Sequence, residues 1–403
     1  MTDRRATAAR KPEERGTADE LTRRLFHGLP RTDQRRWAGA YVTGLLTTPG
    51  RKSVRNMGLS LYDSHTAFQS LHQVVSESTW SWSAVRRELA DWCRERTALH
   101  GWALGRVTVP KRGRCSAGVH RRFDPATGRT VGCQLGLGLF LLTERGALPV
   151  DWRLYLPDEW LDDPTLRRRA RIPETARPGS PARLMLDLAA AADGSAAPVV
   201  AEAETVTEAA ELVEGLGALG TDWILSVPGA TPVSAGLHRL ARTPAGRAPA
   251  GRALTAADLA RQLQGSARPL GPATPEAPRL LPAQVHTAQS AAPLRMAASW
   301  APGHRTPQRI WLTSLHGERL GEAAPLFTGH AVGTDALAGL DDCGLRDFEG
   351  RSYPGWHRHM TLVSAAYGHR LLEPARTRGT VPASTGRPAA ELVGAGTSGA
   401  WAA

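Results

Sequence analysis

Lysine is nearly missing from a chain that is otherwise strongly basic. Of its 50 Lys and Arg residues only Lys11, Lys52 and Lys111 are lysine, which leaves 47 arginines. Cysteine is scarce too. Cys93, Cys115, Cys133 and Cys343 show no C-x-x-C spacing, so they offer neither a zinc ligand pair nor a disulfide framework and are expected as buried or idle thiols. No apolar run reaches the roughly 20 residues needed to span a bilayer. No apolar h-region marks the N-terminus as a secretory signal. The expected location is cytoplasmic, with no membrane partner and no small-molecule substrate.

What is present points elsewhere. A chain of 403 residues, 41% hydrophobic, is long enough for two or three lobes. Its formal net charge is +12. Arginine in place of lysine, with much Ala, Gly and Pro, is partly what a GC-rich genome produces. It equally suits an anionic partner, because the planar guanidinium fork matches phosphate. Charge alone leaves these two accounts level.

The apolar period divides the chain. Residues 1–28 are polar and charge-dense and read as a disordered basic tail. From 29 to 100 the period is helical: Trp37, Tyr41, Leu45 and Leu46 share one face, Phe68, Leu71, Val74 and Val75 a second, Val85, Leu89 and Trp92 a third. Ser76 and Ser81 stand where helix caps fall. Strands follow at Trp102–Val109, Thr130–Leu142 and Pro149–Leu156, then a helix at Arg183–Ala192, a strand at Ala197–Ala201, a helix at Val206–Leu219 and a strand at Asp222–Val227. Three strands, helix, strand, helix, strand is the order of a ribonuclease H-like α/β fold, a meander followed by right-handed crossovers. Residues 101–227 thus form the first part of a core. Residues 228–305 turn rich in Pro, Ala and Arg and read as an insertion, with a helix at Leu254–Leu263 and strand-like pieces at Gln284–Ala288 and Leu294–Trp300. Residues 306–375 complete the core with a strand at Ile310–Leu315 and helices at Ala331–Leu340 and Met360–Leu372, and 376–403 read as a disordered tail.

Four segments carry a resemblance: Gly44-Leu45-Leu46 with Arg51-Lys52-Ser53; Pro110-Lys111-Arg112-Gly113 with Ser116 and Gly118-Val119; Leu154-Tyr155-Leu156-Pro157 with Trp160; and Phe348 through His359, FEGRSYPGWHRH. In this order they resemble the DDE-superfamily insertion-sequence transposases of bacteria, over roughly Leu29 to Leu372. The resemblance implies a ribonuclease H-like endonuclease, a double-stranded DNA partner, action as a homo-oligomer, and Mg²⁺ as cofactor. Two divalent metals clamp the attacking and leaving oxygens of a phosphodiester, held by three carboxylates. The family's first Asp, its neighbouring Asp and a Thr map to Gly105, Arg106 and Val107, and the strand-four Asp to Glu202. The helix glutamate maps to Gly333, with Asp335 the nearest acid, and the following lysine to Leu340.

Glu202 and Glu349 are therefore the remnant candidates for catalytic and metal-binding roles. Glu349 reads either as a third ligand or as an ion-pair partner of Arg351. Candidate DNA contacts are Arg51, Lys52 and Arg55 between the first two helices, Lys111, Arg112, Arg114, Arg121 and Arg122 about the glycine turn, and Arg351, His357, Arg358 and His359. His357 and His359 are two apart and face different ways on a helix. Asp158, Asp162 and Asp163, beside Pro157 and Pro164, read as solvated loop acids.

Three functions stay open. One is a DNA-binding transposase by descent whose strand cleavage is impaired or lost. Another is an active enzyme with displaced ligands among Asp124, Asp151, Asp187 and Asp335. The third is a domesticated, non-catalytic DNA-binding or regulatory protein.

Overall fold

The computed structural model describes residues 12–62, 67–124, 128–192, 196–235, 254–271, 277–327 and 332–373. Five helices come first: α1 (Pro12–Phe26), α2 (Thr32–Thr47), α3 (Val54–Tyr62), α4 (Ala67–Ser76) and α5 (Trp82–Arg94). The tail expected over 1–28 is overturned from Pro12 onward. Leu21, Leu25 and Phe26 are buried, so α1 packs as part of the helical segment, and Phe26 meets Trp80 edge-on. Residues 1–11 lie outside the described residues, as does the tail expected at 376–403. Of the two expected caps, Ser81 stands at the α5 N-cap without capping through its side chain, and Ser76 ends α4, buried.

The sheet then begins with β1 (Gly101–Pro110), β2 (His120–Asp124), β3 (Arg129–Thr143) and β4 (Gly146–Leu154). β1 runs antiparallel along β3, with Gly105 opposite Gly138. The other edge of β3 is shared, residues 129–133 pairing with β2 and 136–143 with β4. Two short helices follow, α6 (Asp158–Asp162) and α7 (Pro164–Ala170), where a loop was expected. Asp163 accepts from the amides of Thr165 and Leu166 and so caps α7, with Pro164 at its first position.

The chain next alternates through α8 (Pro181–Ala191), β5 (Val199–Glu202), α9 (Val206–Ala218) and β6 (Trp223–Ser226). β5 lies parallel to both β1 and β6. This is the ribonuclease H-like order, and each expected strand and helix of it is present within a few residues.

Residues 228–305 do more than interrupt that core. Their described elements are β7 (Pro232–Ala235), β8 (Leu254–Thr255), α10 (Ala256–Leu263), β9 (Arg268–Pro269), β10 (Arg279–His286) and β11 (Leu294–Ser299). With β12 (Arg309–Thr313) they extend the same sheet, which runs β2-β3-β1-β5-β6-β12-β11-β10-β7-β8, β4 and β9 pairing at the side. Leu259, Leu281, Val285 and Met296 are buried, so this segment contributes core.

Last come α11 (Gly317–Glu322), α12 (Thr334–Asp342) and α13 (Tyr353–Leu372). α13 is buried almost all round. A helix of that kind needs partners for its polar side chains, and it has them. Arg86 of α5, 3% exposed, donates to Thr361 Oγ1 (2.7 Å), to the His357 carbonyl (2.8 Å), to the Trp152 carbonyl (2.9 Å) and to Asp151 (2.8 Å). It thereby joins α5, β4 and α13. Arg358 donates to the Val75 carbonyl (3.1 Å). His359 lies between the Tyr41 hydroxyl and the Gly344 carbonyl, each 3.0 Å from a ring nitrogen. The carbonyl can only accept, so Nε2 donates to Gly344, and burial, which keeps the ring neutral, leaves Nδ1 to accept from Tyr41. The two histidines do meet different neighbours, His357 stacking on Trp82.

Two outcomes are expected. Arg86→Ala removes a buried charge from a seam of carbonyls and should cost about 3–5 kcal/mol in urea unfolding; a loss under about 1 kcal/mol contradicts the role given to it. Burial holds His359 down to about 3 and His357 well below its ordinary value. The unfolded chain therefore takes up protons first, from about pH 6.5. Stability present above that pH should drain as pH falls toward about 3, and a denaturation series against pH should show a shallower loss in His359→Gln.

Candidate functional site

The four segments singled out in the sequence meet in one place. β1 ends at Pro110 and passes into a turn where Gly113 (φ 82°) and Gly118 (φ 73°) hold left-handed backbone. At Gly118 a Cβ would stand 2.6 Å from the Tyr155 carbonyl oxygen, so only glycine lets the turn close on the end of β4. Trp160 Nε1 secures the same turn by donating to the Val119 carbonyl (3.0 Å). From the other side Lys111 Nζ donates to the Phe348 carbonyl (2.6 Å), and the Ala117 amide to the Arg351 carbonyl (2.9 Å). The loop between α2 and α3 joins them: the Lys52 amide donates to Asp347 (2.8 Å), and Arg51 pairs with Glu349 (2.9 Å).

These contacts sort the candidate DNA contacts. Arg51, Arg55, Arg112, Arg114, Arg121 and Arg351 are exposed. Arg122 is half-buried and held by Glu204. Lys52 is buried, its ammonium on the Thr48 carbonyl, and His357, Arg358 and His359 are buried within the α13 packing. Those four are turned to the protein. Lys111 is engaged by Phe348, and burial, then Arg51, lowers its pKa. Glu349 pairs with Arg51, in the loop between α2 and α3, rather than with Arg351.

The acid positions gather on β1 and β5. Ala103 is registered with Val200; Gly105 and Glu202 each lie two residues further along their strands, so by alternation both share a sheet face with that pair. At Gly105 a Cβ would stand 2.5 Å from Val332 Cγ2 and 2.9 Å from Phe140 Cε2. The room a first carboxylate needs is filled by an isopropyl group and a ring. Val332 precedes Gly333, the N-cap of α12, so the chain position mapped to the third acid lies next to the first. Asp335 is exposed in the first turn of α12, and Leu340 is fully buried. Among the displaced candidates, Asp151 is held by Arg86 and Arg153, and Asp187 pairs with Arg183 along α8. The Asp124 side chain lies outside the described residues.

Glu202 keeps a carboxylate, and it is met by a cation of the protein itself: Arg309 of β12 lies 3.4 Å from Glu202 Oε1. Arg106, in the place of the family's second Asp, points to the opposite face. It donates to the Glu202 carbonyl (2.9 Å) and pairs with Glu204 and Glu208 (both 2.9 Å). Arg309, Glu204 and Glu208 were not found from the sequence. Arg309 is 107 residues from its partner, whereas T-x-x-E at Thr205–Glu208 is a readable helix start. Among the described residues no group of three or more His, Cys, Asp and Glu side chains converges as a metal site would require. With a filled first position and an engaged second one, this donor set does not fit a two-metal centre.

An antiparallel meander continued by parallel crossovers defines a protein of the ribonuclease H-like class. Residues 24–295 match the DDE superfamily endonuclease family, and the chain belongs to it. No curated protein matches the chain. Among solved structures, the cryo-EM structure of a piggyBac transposase synaptic complex with hairpin DNA is similar at 12% identity, over 92% of this chain and 67% of that one, with a TM-score of 0.41. No helix among the described residues is long and apolar enough to cross a membrane.

Gly105→Asp tests the reading of the first position. Overpacking Val332 and Phe140 should cost about 1–3 kcal/mol, and Mn²⁺ should give the variant no thermal stabilisation; a metal-stabilised variant of native stability contradicts the filled pocket.

Proposed function

We propose that this chain is a transposase by descent that binds double-stranded DNA and no longer cuts it. The observation that carries the reading is the space at Gly105, where Val332 and Phe140 stand in place of a carboxylate. Phosphodiester cleavage in this family rests on metals that stabilise the attacking and leaving oxygens. Misplacing one catalytic group by about 1 Å can already cost on the order of 10²-fold; here the group is missing and its room is taken.

Binding asks for less. Phosphate contacts need exposed cations on a rigid frame, and they carry no requirement for metal. The exposed Arg112 and Arg114 stand on a turn fixed by Lys111, Ala117 and Gly118; Arg51 and Arg351 belong to the loops bonded to it, and Arg55 to the first turn of α3. This supports one basic surface assembled from three parts of the chain. Ancestral Mg²⁺ chemistry is no part of the present activity.

Fluorescence anisotropy with a labelled duplex should show affinity falling steeply with salt, with a slope of about −0.9 per neutralised phosphate. Arg112→Ala and Arg114→Ala should each reduce that slope by about one contact. A supercoiled plasmid carrying the ends of the protein's own element should stay intact with Mg²⁺ or Mn²⁺. Nicking that disappears in Glu202→Gln overturns the loss of cleavage, and salt-insensitive binding overturns the DNA reading.

A further inference from the structure

We infer that an arginine–glutamate lattice has taken the place of the metal centre, with Arg309 acting as the fixed cation on Glu202, so that DNA is held there without any divalent ion. This rests on the DNA-binding reading above and adds what holds the charge at the core of the site.

The lattice lies where β1, β5 and β12 bring their side chains to the carboxyl end of β5. Glu202, its last residue, has Arg309 on its carboxylate at 3.4 Å and Arg106 on its carbonyl at 2.9 Å. Arg106 also bridges Glu204 and Glu208, and Arg122 of β2 shares Glu204. Glu208 in turn accepts from the Glu204 amide (2.7 Å), which fixes the start of α9. The Glu202 carboxylate thus meets a guanidinium, and on the opposite face Arg106 and Arg122 meet Glu204 and Glu208, so that among the described residues each of these acids faces an arginine. A divalent-ion site needs the opposite, an excess of carboxylate oxygens whose repulsion the metal relieves. A guanidinium stays charged at every working pH and is weakly hydrated, so it serves as a permanent cation. A metal on Glu202 competes with Arg309 for the carboxylate.

The replacement also sets what the site does to DNA. Arg309 and Arg122 are half-buried, and a phosphate arriving there competes with Glu202 and Glu204 for them. Glu202 is then one restraint on Arg309, and neutralising it should make the guanidinium more available to the phosphate.

The experiment uses the full chain, a fluorescein-labelled duplex, and Mn²⁺ as the metal probe. In EDTA and in Mg²⁺ at matched ionic strength, affinity should agree within about twofold. Glu202→Gln should bind more tightly, with a salt slope steeper by about 0.9, and Arg309→Gln more weakly, with a slope shallower by about 0.9. The Mn²⁺ electron paramagnetic resonance spectrum should be the same for wild type and Glu202→Gln. Binding that requires Mg²⁺, or Mn²⁺ immobilised by wild type and freed in Glu202→Gln, overturns the inference. If no condition gives DNA binding, the proposed function fails and the phosphate half of this inference with it. The Mn²⁺ comparison then still decides whether the lattice excludes metal.

Discussion

Much of this structure hangs on one buried guanidinium. Arg86 comes from α5, outside the sheet, and ends among carbonyls of β4 and α13 with Asp151 as its counter-charge. A charge so enclosed is tolerable only when its donors are met, and the partners it finds belong to two elements, β4 and α13. It therefore fixes α13 against the sheet. The loop that precedes α13 carries Phe348, Glu349 and Arg351, so seating the helix also seats the glycine turn through Lys111 and Ala117. The glycine turn is thereby tied to an interaction in the core.

The sequence made the ribonuclease H-like core readable because its signals are local. Alternation along β1 and β4, the apolar run of β5 and the helical periods of α8 and α9 need no knowledge of partners. The strands of residues 228–305 were read as parts of an insertion because Pro, Ala and Arg dominate the composition, while membership of a sheet is decided by long-range pairing. β2 was missed since its residues, His120 to Asp124, are mostly polar and Phe123 is exposed. In α13 the basic residues looked like DNA contacts. Their burial depends on Arg86, Tyr41 and Gly344, which lie elsewhere in the chain.

The site divides in the same way. That Gly105 lacks a carboxylate could be read from spacing to Pro110, but not that its space is filled, since Val332 arrives from 227 residues further on. Nor could Arg309 be found, because nothing near it marks a partner. On the proposed reading Gly105 lacks the ligand's carboxylate, and Val332 and Phe140 take the room that one would need. Arg106 meets Glu204 and Glu208, and Arg309 meets Glu202, while the surrounding turn and loops keep exposed arginines.

A crystal of the protein with duplex DNA, grown in Mn²⁺ and measured at the manganese absorption edge, tests the replacement of metal by arginine most directly. The account predicts no anomalous peak between Gly105 and Glu202, with the Arg309 guanidinium lying against Glu202 or a DNA phosphate. An anomalous peak bonded to Glu202, with Arg309 turned away, contradicts it.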